Sequence, residues 1–592
     1  MGKVYKNLYL TDFDKKFNNY SKKDFFLGAW CFGDIDELSN KNFIKYHWSK
    51  IERKKRDYIF LEKFRNELID ILSKELNNYY DTKKNKRYWN ILLEPWLTTY
   101  VSIMFDRWQS INDALKINKF SVNFYNSIMK KNHYFFFELS KSLSSDPIYN
   151  QKIFQRILLE DYFKNKVNLK FINDKINFLF KRDNYTDNFP FYRRVINQLL
   201  QLFDRILLKN KNNNFIYFPF SSMTMISKLR LKLLSNHKIL FFFNEIEEIE
   251  KKINTRIQKE IKLSKLRTKK IKNKTNNKFK RFIYKHILSD LPTAVLEDYK
   301  FIYELVSDIK INPKKIIASS NYWHKYSFKI WIAKKVLDGS TFNILDHGRG
   351  LPLQKELLNF ESYFLDKKLS WHKPLSNKYI QVPALHYSKY KFSQSIGKYC
   401  AVIGYEGHKY GNIINFHAQS SNSLKSYFQI VNFYNNLEGE IKKSFLIKTK
   451  KYKDFNYSWD LDSFYEKKIG KNKIYKKGNY INFINNSKIL ICTYPLTTLS
   501  DSILSSKPTI LIIPTDCYFF HSKFDKFIGE LIHNKIIFYD AAKAAKHIND
   551  IWSDPNLWWN SKIIVDLRHK YKQNFCNFDK NSIEKWCKIL KI

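Results

Sequence analysis

Two stretches of the sequence combine residue types that can handle a phosphate or a proton. The first is Asn343-Ile344-Leu345-Asp346-His347-Gly348-Arg349-Gly350, where an apolar run ends directly in a charged turn bearing glycines. If the run is a strand of a parallel sheet, an imidazole and a guanidinium project at its carboxyl end, where open α/β sheets bind ligands. His347 suits acid–base work near neutral pH, with Asp346 grouped beside it as a catalytic carboxylate. Arg349 can meet a phosphate through two parallel N–H donors, and Gly348 lets backbone approach a ligand closely. Taken alone, the string reads equally well as an ordinary strand-to-loop turn. The second stretch is Cys492-Thr493-Tyr494-Pro495-Leu496-Thr497-Thr498-Leu499-Ser500-Asp501, an apolar strand stopping at a hydroxyl-rich turn before a short helix. Thr497, Thr498 and the helix's free N–H groups can hold a phosphate, with Tyr494 alongside. Plain N-capping by a hydroxyl is the equally good local alternative.

Other strand ends offer less. Gly28 and Trp30, His47 beside Trp48, and Asn321 each follow an apolar run and are candidates for a cleft or acceptor site. Aromatic residues at such places pack more often than they bind. Gly404-Tyr405-Glu406-Gly407-His408-Lys409-Tyr410-Gly411 looks like a glycine loop after a strand, but it is not G-x-G-x-x-G, and no Walker A string occurs. G-x-S-x-G, H-E-x-x-H and the kinase set are missing too. The six cysteines are dispersed, with no C-x-x-C pair and no clustering with histidine. They are expected to be free, buried thiols, and no metal site is expected.

The elements that must position these residues follow from periodicity. Val4–Leu10, Phe25–Cys31 and Phe43–Trp48 read as short strands, and Leu61, Phe64, Leu68, Leu72, Leu76 and Tyr79 as the apolar stripe of a helix. Helices are expected from there to about residue 210. Strand-like runs return at Phe215–Phe220, Lys238–Phe243, Lys315–Ser319 and Phe342–Leu345, and again at Tyr399–Tyr405, Ser444–Thr449, Lys488–Thr493 and Thr509–Ile513. Between them lie helical segments, notably Ser423–Leu437 and a tail from about Asp540. Such alternation predicts α/β architecture with mostly parallel sheets. At 592 residues the chain exceeds one ordinary core, so two such units are expected, meeting near residues 375–395.

The net charge of +48, from 104 Lys+Arg against 56 Asp+Glu, suggests a polyanion partner. Lys far outnumbers Arg, however, and Asn, Ile, Phe and Tyr are abundant while Gly and Pro are scarce, which is the profile of an AT-biased coding sequence. Only Lys262–Lys285 concentrates the charge, with eleven basic residues and no acidic one, just after a stripe formed by Ile246, Ile249, Ile253, Ile257 and Ile261. It reads either as a solvated helical hairpin or as a contact for anionic lipid head groups. No zinc-finger, RNP or helix-turn-helix string accompanies it, so no specific nucleic acid is expected. No run reaches the length of a membrane helix and the first residues lack the apolar core of a signal peptide, so a cytoplasmic protein is expected.

Several strings together resemble one family, the bacterial surface-carbohydrate transferases of O-antigen loci. They are FFLGAWCF (Phe25–Phe32), YHW (Tyr46–Trp48), RYWNILLEPWLTTYVSIMFDRW (Arg87–Trp108), LPTAVLEDY (Leu291–Tyr299), PKKIIASSNYW (Pro313–Trp323), FKIWIAKKVLDGS (Phe328–Ser340), the His347-Gly348 pair and IWSDPNLWWNS (Ile551–Ser561). The resemblance implies a GT-B-like glycosyltransferase with two Rossmann-like domains. Residues 1–375 would form the acceptor domain, with helical insertions at about 50–210 and 245–290, and residues 376–592 the nucleotide-sugar donor domain. By position it carries over His347-Gly348 as the family's His-Gly pair and Thr497-Thr498 with Leu499 as its hydroxyl-rich turn; joined to the reading of the residues themselves, His347 and Asp346 are expected to be catalytic, Arg349, Gly348, Thr497, Thr498, Tyr494 and Lys448 to hold the donor and its phosphates, and Gly28, Trp30, His47 and Asn321 to face the acceptor or cleft. It implies a nucleotide sugar as substrate with no cofactor or metal, a glycan or lipid-linked acceptor, and a place at the inner face of the cytoplasmic membrane. The sequence departs from the family's usual Gln-His-Gly-Gly-aromatic-Gly. Asp346 precedes the His, Arg349 replaces the second Gly, Leu351-Pro352 replaces the aromatic-Gly pair, Ser500 replaces a Glu, and Lys448 stands where Arg is common. Altered donor choice and lost activity are both open readings of these changes. The rival enzyme reading is a polyol-phosphate transferase of the CDP-glycerol type, and the rival of another class is a non-catalytic polyanion- or membrane-binding protein.

Overall fold

The computed structural model describes residues 5–590 apart from 16–19, 127–142, 145, 174–198, 200–201, 203–205, 207–214, 220–222, 242–243, 258–261, 349, 354–358, 415–417, 450–458 and 477. Its described strands form three sheets, all with parallel pairing.

The first sheet takes β1 (Lys6–Tyr9), β2 (Phe25–Phe26), β3 (Asn42–Phe43), β4 (Phe120–Tyr125) and β5 (Val167–Ile172) in the order β3-β2-β1-β4-β5. The interval expected to be helical up to about residue 210 therefore contains two strands. The long helix Ile51–Tyr80 does form, and Leu61, Phe64, Leu68, Leu72 and Leu76 are all buried. Tyr79, expected on that stripe, is exposed; Tyr80, four residues after Leu76, takes the place and donates its hydroxyl to the Val295 carbonyl at 2.8 Å. The runs after β2 and β3 turn into short 3-10 helices, Ala29–Cys31 and His47–Ser49, rather than continuing as strands.

The second sheet holds β6 (Ile216–Tyr217), β7 (Ile239–Leu240), β8 (Lys315–Ala318), β9 (Thr341–Leu345), β10 (Lys367–Ser370) and β11 (Tyr379–Gln381) in the order β11-β10-β9-β8-β6-β7. The third holds β12 (Tyr399–Ile403), β13 (Phe445–Lys448), β14 (Ser487–Cys492), β15 (Thr509–Ile512) and β16 (Ile537–Phe538) in the order β13-β12-β14-β15-β16. Central strands such as β12, β14 and β15 are buried along nearly their whole length, as parallel strands covered by helices on both faces must be. One continuous apolar core runs from Leu8 through the helices of residues 51–117 to Ile344, and a second joins Ile317, Leu345 and Leu369 to Ala401, Leu490 and Leu511. All six cysteines are free and buried.

The block Arg87–Trp108 is core structure. Trp89 and Trp96 are fully enclosed, and the Arg87 guanidinium donates to the Phe364 carbonyl at 2.8 Å and to Asp366 at 2.7 Å, tying these helices to the second sheet. Buried Arg107, in helix Trp96–Ile117, pairs with Asp106 and donates to the carbonyls of Gly411 (2.7 Å) and Leu143 (2.9 Å) and to Asn150 (2.9 Å). Gly411 belongs to the loop that follows β12, so this one side chain fastens the third sheet's loop to the first sheet's helices.

The basic segment is neither a projecting hairpin nor free charge throughout. Arg267 pairs with Glu297, Lys285 with Glu160, and Lys269 and Lys280 with Glu75 and Glu67 of the long helix. Phe279, Phe282, Ile283 and Ile287 bury one face of helix Lys278–Asp290. Ile246, Ile249 and Ile253 are buried as their spacing predicts, whereas Ile261 lies outside the described residues. Among the described residues no helix is long and apolar enough to cross a membrane.

Replacing Arg107 with Met would leave the buried Asp106 carboxylate without its cation and free the loop carbonyl of Gly411. The expected cost is about 3–5 kcal/mol of unfolding free energy, read from urea denaturation; a loss below about 1 kcal/mol would contradict this role.

Candidate functional site

The carboxyl ends of β9 and β14 are brought together, and with them the two stretches singled out by residue type. β9 ends at Leu345 and the chain crosses toward the third sheet, where the Leu351 amide donates to the Pro495 carbonyl at 3.0 Å. The His521 amide donates to the Pro352 carbonyl at 2.9 Å, and Leu353 bridges to Phe520. The contact is backbone against backbone. A Cβ on Gly350 would stand 2.4 Å from the Leu496 carbonyl oxygen and 2.5 Å from that of Pro495; one on Gly348 would stand 2.5 Å from the Thr497 hydroxyl. Only glycine allows the first approach, since the neighbouring atoms are main chain.

On the facing side, Thr493 closes β14 by donating its hydroxyl to the Ile403 carbonyl at 2.9 Å, binding the end of β14 to the end of β12. Helix Thr497–Leu504 then begins without a side-chain cap, and Leu496, its N-cap residue, is apolar. The first-turn N–H groups of Thr497 and Thr498 have no intrahelical acceptor by helix geometry, so they form a natural anion seat. The Thr497 hydroxyl faces Gly348, while Thr498 turns its hydroxyl back to the Tyr494 carbonyl at 3.1 Å. The Tyr494 ring stacks on Tyr405, which follows β12, with centroids 4.5 Å apart and planes 4° from parallel. His347 is exposed on the rim. Arg349 lies outside the described residues.

Beneath the rim the chain is buried and charged. Asp346 is fully buried and accepts from Ser370; Lys368 stands 3.3 Å from its carboxylate and also pairs with Glu361, which accepts the Tyr322 hydroxyl at 3.0 Å. One buried ammonium thus balances two buried carboxylates. Asp346 sits in this supporting network, while His347 next to it faces solvent. Sequence reasoning grouped the two as catalytic, and the structure separates them by burial.

Asn321 follows β8 on the same sheet edge. Its side chain accepts from the Ser319 amide at 2.9 Å and donates to the Pro219 carbonyl at 3.3 Å, which fixes the ends of β8 and β6. Lys448 ends β13, two strands from β14, with its ammonium 5.1 Å from the Tyr475 ring centre. Gly28, Trp30 and His47 are not part of this junction. Trp30 donates its indole N–H to the Leu10 carbonyl at 2.9 Å, and Gly28 lies against the Trp30 ring. His47 is buried 3.4 Å from Asp106, and desolvation, followed by Arg53, Arg107 and Lys54, pushes its imidazole well below the usual range. All three pack the first sheet where it meets the loop after β12.

Three groups near these edges escaped the sequence reading. His324, between β8 and helix Tyr326–Leu337, is pushed down to about 4 by desolvation, then by Lys329 and His347. Lys329 itself is buried and pushed down to about 7 by desolvation, against the pull of Glu94. His408 lies exposed in the glycine loop after β12. Near neutral pH His324 is uncharged, so it offers hydrogen bonds rather than charge.

Gly350→Ala is expected to destabilise by about 1–3 kcal/mol, because main chain must move to admit the methyl group. Gly348→Ala should cost less, since it meets a rotatable hydroxyl. Equal thermal shifts for the two would contradict the stitched geometry. Lys368→Met should cost about 3–5 kcal/mol in chemical denaturation by stranding two buried carboxylates. Acid should act through His324: its folded-state pKa lies below the unfolded value, so between about 6.5 and about 4 only the unfolded chain takes up the proton. Stability is present above that window and falls as pH drops through it. The urea midpoint of His324→Gln should decline less from pH ~7 to pH ~4.5 than that of the native chain; parallel declines would refute the assignment.

Comparison with known proteins adds a family. No curated protein matches the chain. The sequence profile of the LIC12162 family transferases matches residues 6–590, which span all three sheets and both faces of the junction. The chain therefore belongs to the LIC12162 family of transferases.

Proposed function

We propose that this transferase is a glycosyltransferase of GT-B-like design, moving a sugar from a nucleotide-activated donor to a cell-surface glycan or lipid-linked acceptor. The observation that carries the reading is the stitching of the His347-Gly348 loop at the end of β9 onto the uncapped helix start at Thr497. Two parallel sheets thereby turn their carboxyl edges toward one another, which is where ligands bind in α/β folds. In this reading the third sheet is the donor side. The N–H groups of Thr497 and Thr498 receive the phosphates of the leaving nucleotide, and charge developing there is met by fixed dipoles aided by Arg349 and Lys448. The Tyr405–Tyr494 stack gives a flat aromatic wall beside that seat. His347, exposed on the rim, orients the sugar or carries the acceptor's proton. Asp346 acts indirectly, holding the loop through Lys368 and Ser370. No cofactor takes part, and the protein works in the cytoplasm at the inner membrane face.

A thermal-shift screen of CMP-, UDP-, GDP- and dTDP-linked sugars tests the donor side, since a ligand that binds only the folded chain raises its melting temperature. One class should do so, and the shift should survive in His347→Ala while transfer falls by about 100-fold or more. Full activity of that variant would remove His347 from the reaction. A product joined by a phosphodiester instead of a glycosidic bond would replace the sugar reading with the CDP-glycerol type.

A further inference from the structure

Helix Met225–Leu234, between β6 and β7 at the edge of the second sheet, is oriented inside out for a helix facing water. Its polar Ser227, Lys228 and Lys232 are buried, while Ile226 (80%), Leu229 (40%), Leu233 (66%) and Leu234 (47%) are exposed. Exposed apolar side chains scattered singly mean little, but four within nine residues of one helix form a continuous stripe. The orientation is fixed. Thr224 caps the first turn by accepting from the Ser227 amide at 3.1 Å, the helix packs on Ser582–Leu590, and Arg230 pairs with Glu584 of that helix. Inside, the Lys228 ammonium lies 5.9 Å from the Phe241 ring centre, and desolvation holds both lysines down at about 8.

We infer that this stripe is a membrane-contact face, laid on an anionic lipid surface with Ile226, Leu229 and Leu233 inserted among the head groups. Charge selects the occupant. The helix carries no acidic residue, its Lys228 and Lys232 are turned inward and its Arg230 is paired with Glu584, so the attraction comes from the chain around it, whose net charge is +48. A second copy of the chain would bring two such fields together, whereas an anionic bilayer is attracted by them. Interfacial binding needs apolar burial as well as attraction, and the basic segment Lys262–Lys285 supplies mainly the second, part of it already spent on Glu67, Glu75, Glu160 and Glu297. The helix follows β6, the strand beside β8 in the sheet whose strand β9 leads to His347, and the Pro219 carbonyl after β6 is held by Asn321. The inference does not depend on which group is transferred.

Flotation of the full chain with phosphatidylglycerol–phosphatidylcholine vesicles, against phosphatidylcholine alone, tests it without any activity assay. The native chain should float with the anionic vesicles, and Ile226→Asn/Leu229→Asn/Leu233→Asn should bind about tenfold or more weakly with its melting temperature unchanged. Lys270→Glu/Lys272→Glu/Lys274→Glu should weaken binding less. Failure of the native chain to bind, equal binding by the apolar variant, or a larger loss in the lysine variant would overturn the inference. If the triple variant does not fold, Ile226→Cys carrying an NBD label on the otherwise native chain, whose own cysteines are buried, gives a second reading. Its emission should shift to the blue on anionic vesicles, and an unshifted spectrum would overturn the inference. A native dimer in sedimentation that the apolar variant dissociates, with no vesicle binding by either, would assign the face to self-association instead.

Discussion

The closeness of Gly350 to the Pro495–Leu496 backbone governs how the second and third sheets meet. Main chain touching main chain leaves no freedom for side chains to adjust, so the loop after β9 and the turn after β14 hold one relative position. Everything around this contact reinforces it. The Leu351 and His521 amides close hydrogen bonds across it, Thr493 locks β14 to β12, and the Lys368 network stiffens the second sheet from below. An exposed imidazole on the loop whose Gly348 and Gly350 meet the Thr497 turn, beside uncapped amides, is an arrangement able to pre-organise a phosphate-bearing ligand. The first sheet joins the same assembly through Arg87 and Arg107, so the tryptophan- and arginine-rich helices serve to hold the sheets in place.

How much of this could be read in the sequence depends on the kind of signal. Strands β8, β9, β12, β14 and β15 were legible because parallel strands covered on both faces become unbroken apolar runs. β4 was missed because Phe120–Tyr125 sits next to long helices and mixes polar with aromatic residues, while β2 and β3 were read as strands but are shorter than the apolar runs suggested. β4 and β5, which the sequence reading overlooked, belong to a sheet of their own within residues 1–375. Both phosphate-suited stretches were identified by residue type, but their meeting was not, since Gly348 and Thr497 are about 150 positions apart. Asp346 was paired with His347 by adjacency, although along a strand end successive side chains point to opposite sides. Its observed partners, Lys368 and Ser370, are near only in the folded sheet, where Lys368 also pairs with Glu361.

The charge looks different once folded. Part of the densest basic segment is turned inward onto carboxylates of the helices beside it, where it fastens an insertion to the body of the protein. The residual excess is distributed, acting as a field over the whole surface. Such a field guides association and gains specificity only where a shaped apolar feature accompanies it. The inverted helix after β6 in the second sheet is such an apolar feature.

Amide hydrogen exchange tests the phosphate seat most directly, because the proposed donors are backbone N–H groups. With the chain saturated in turn with UDP, GDP, CDP, CMP and dTDP, at least one nucleotide should slow exchange at Thr497–Leu499 and along Gly348–Leu351. A nucleotide that binds but protects amides elsewhere and leaves both stretches unchanged would contradict the account, as would a set in which none protects either stretch.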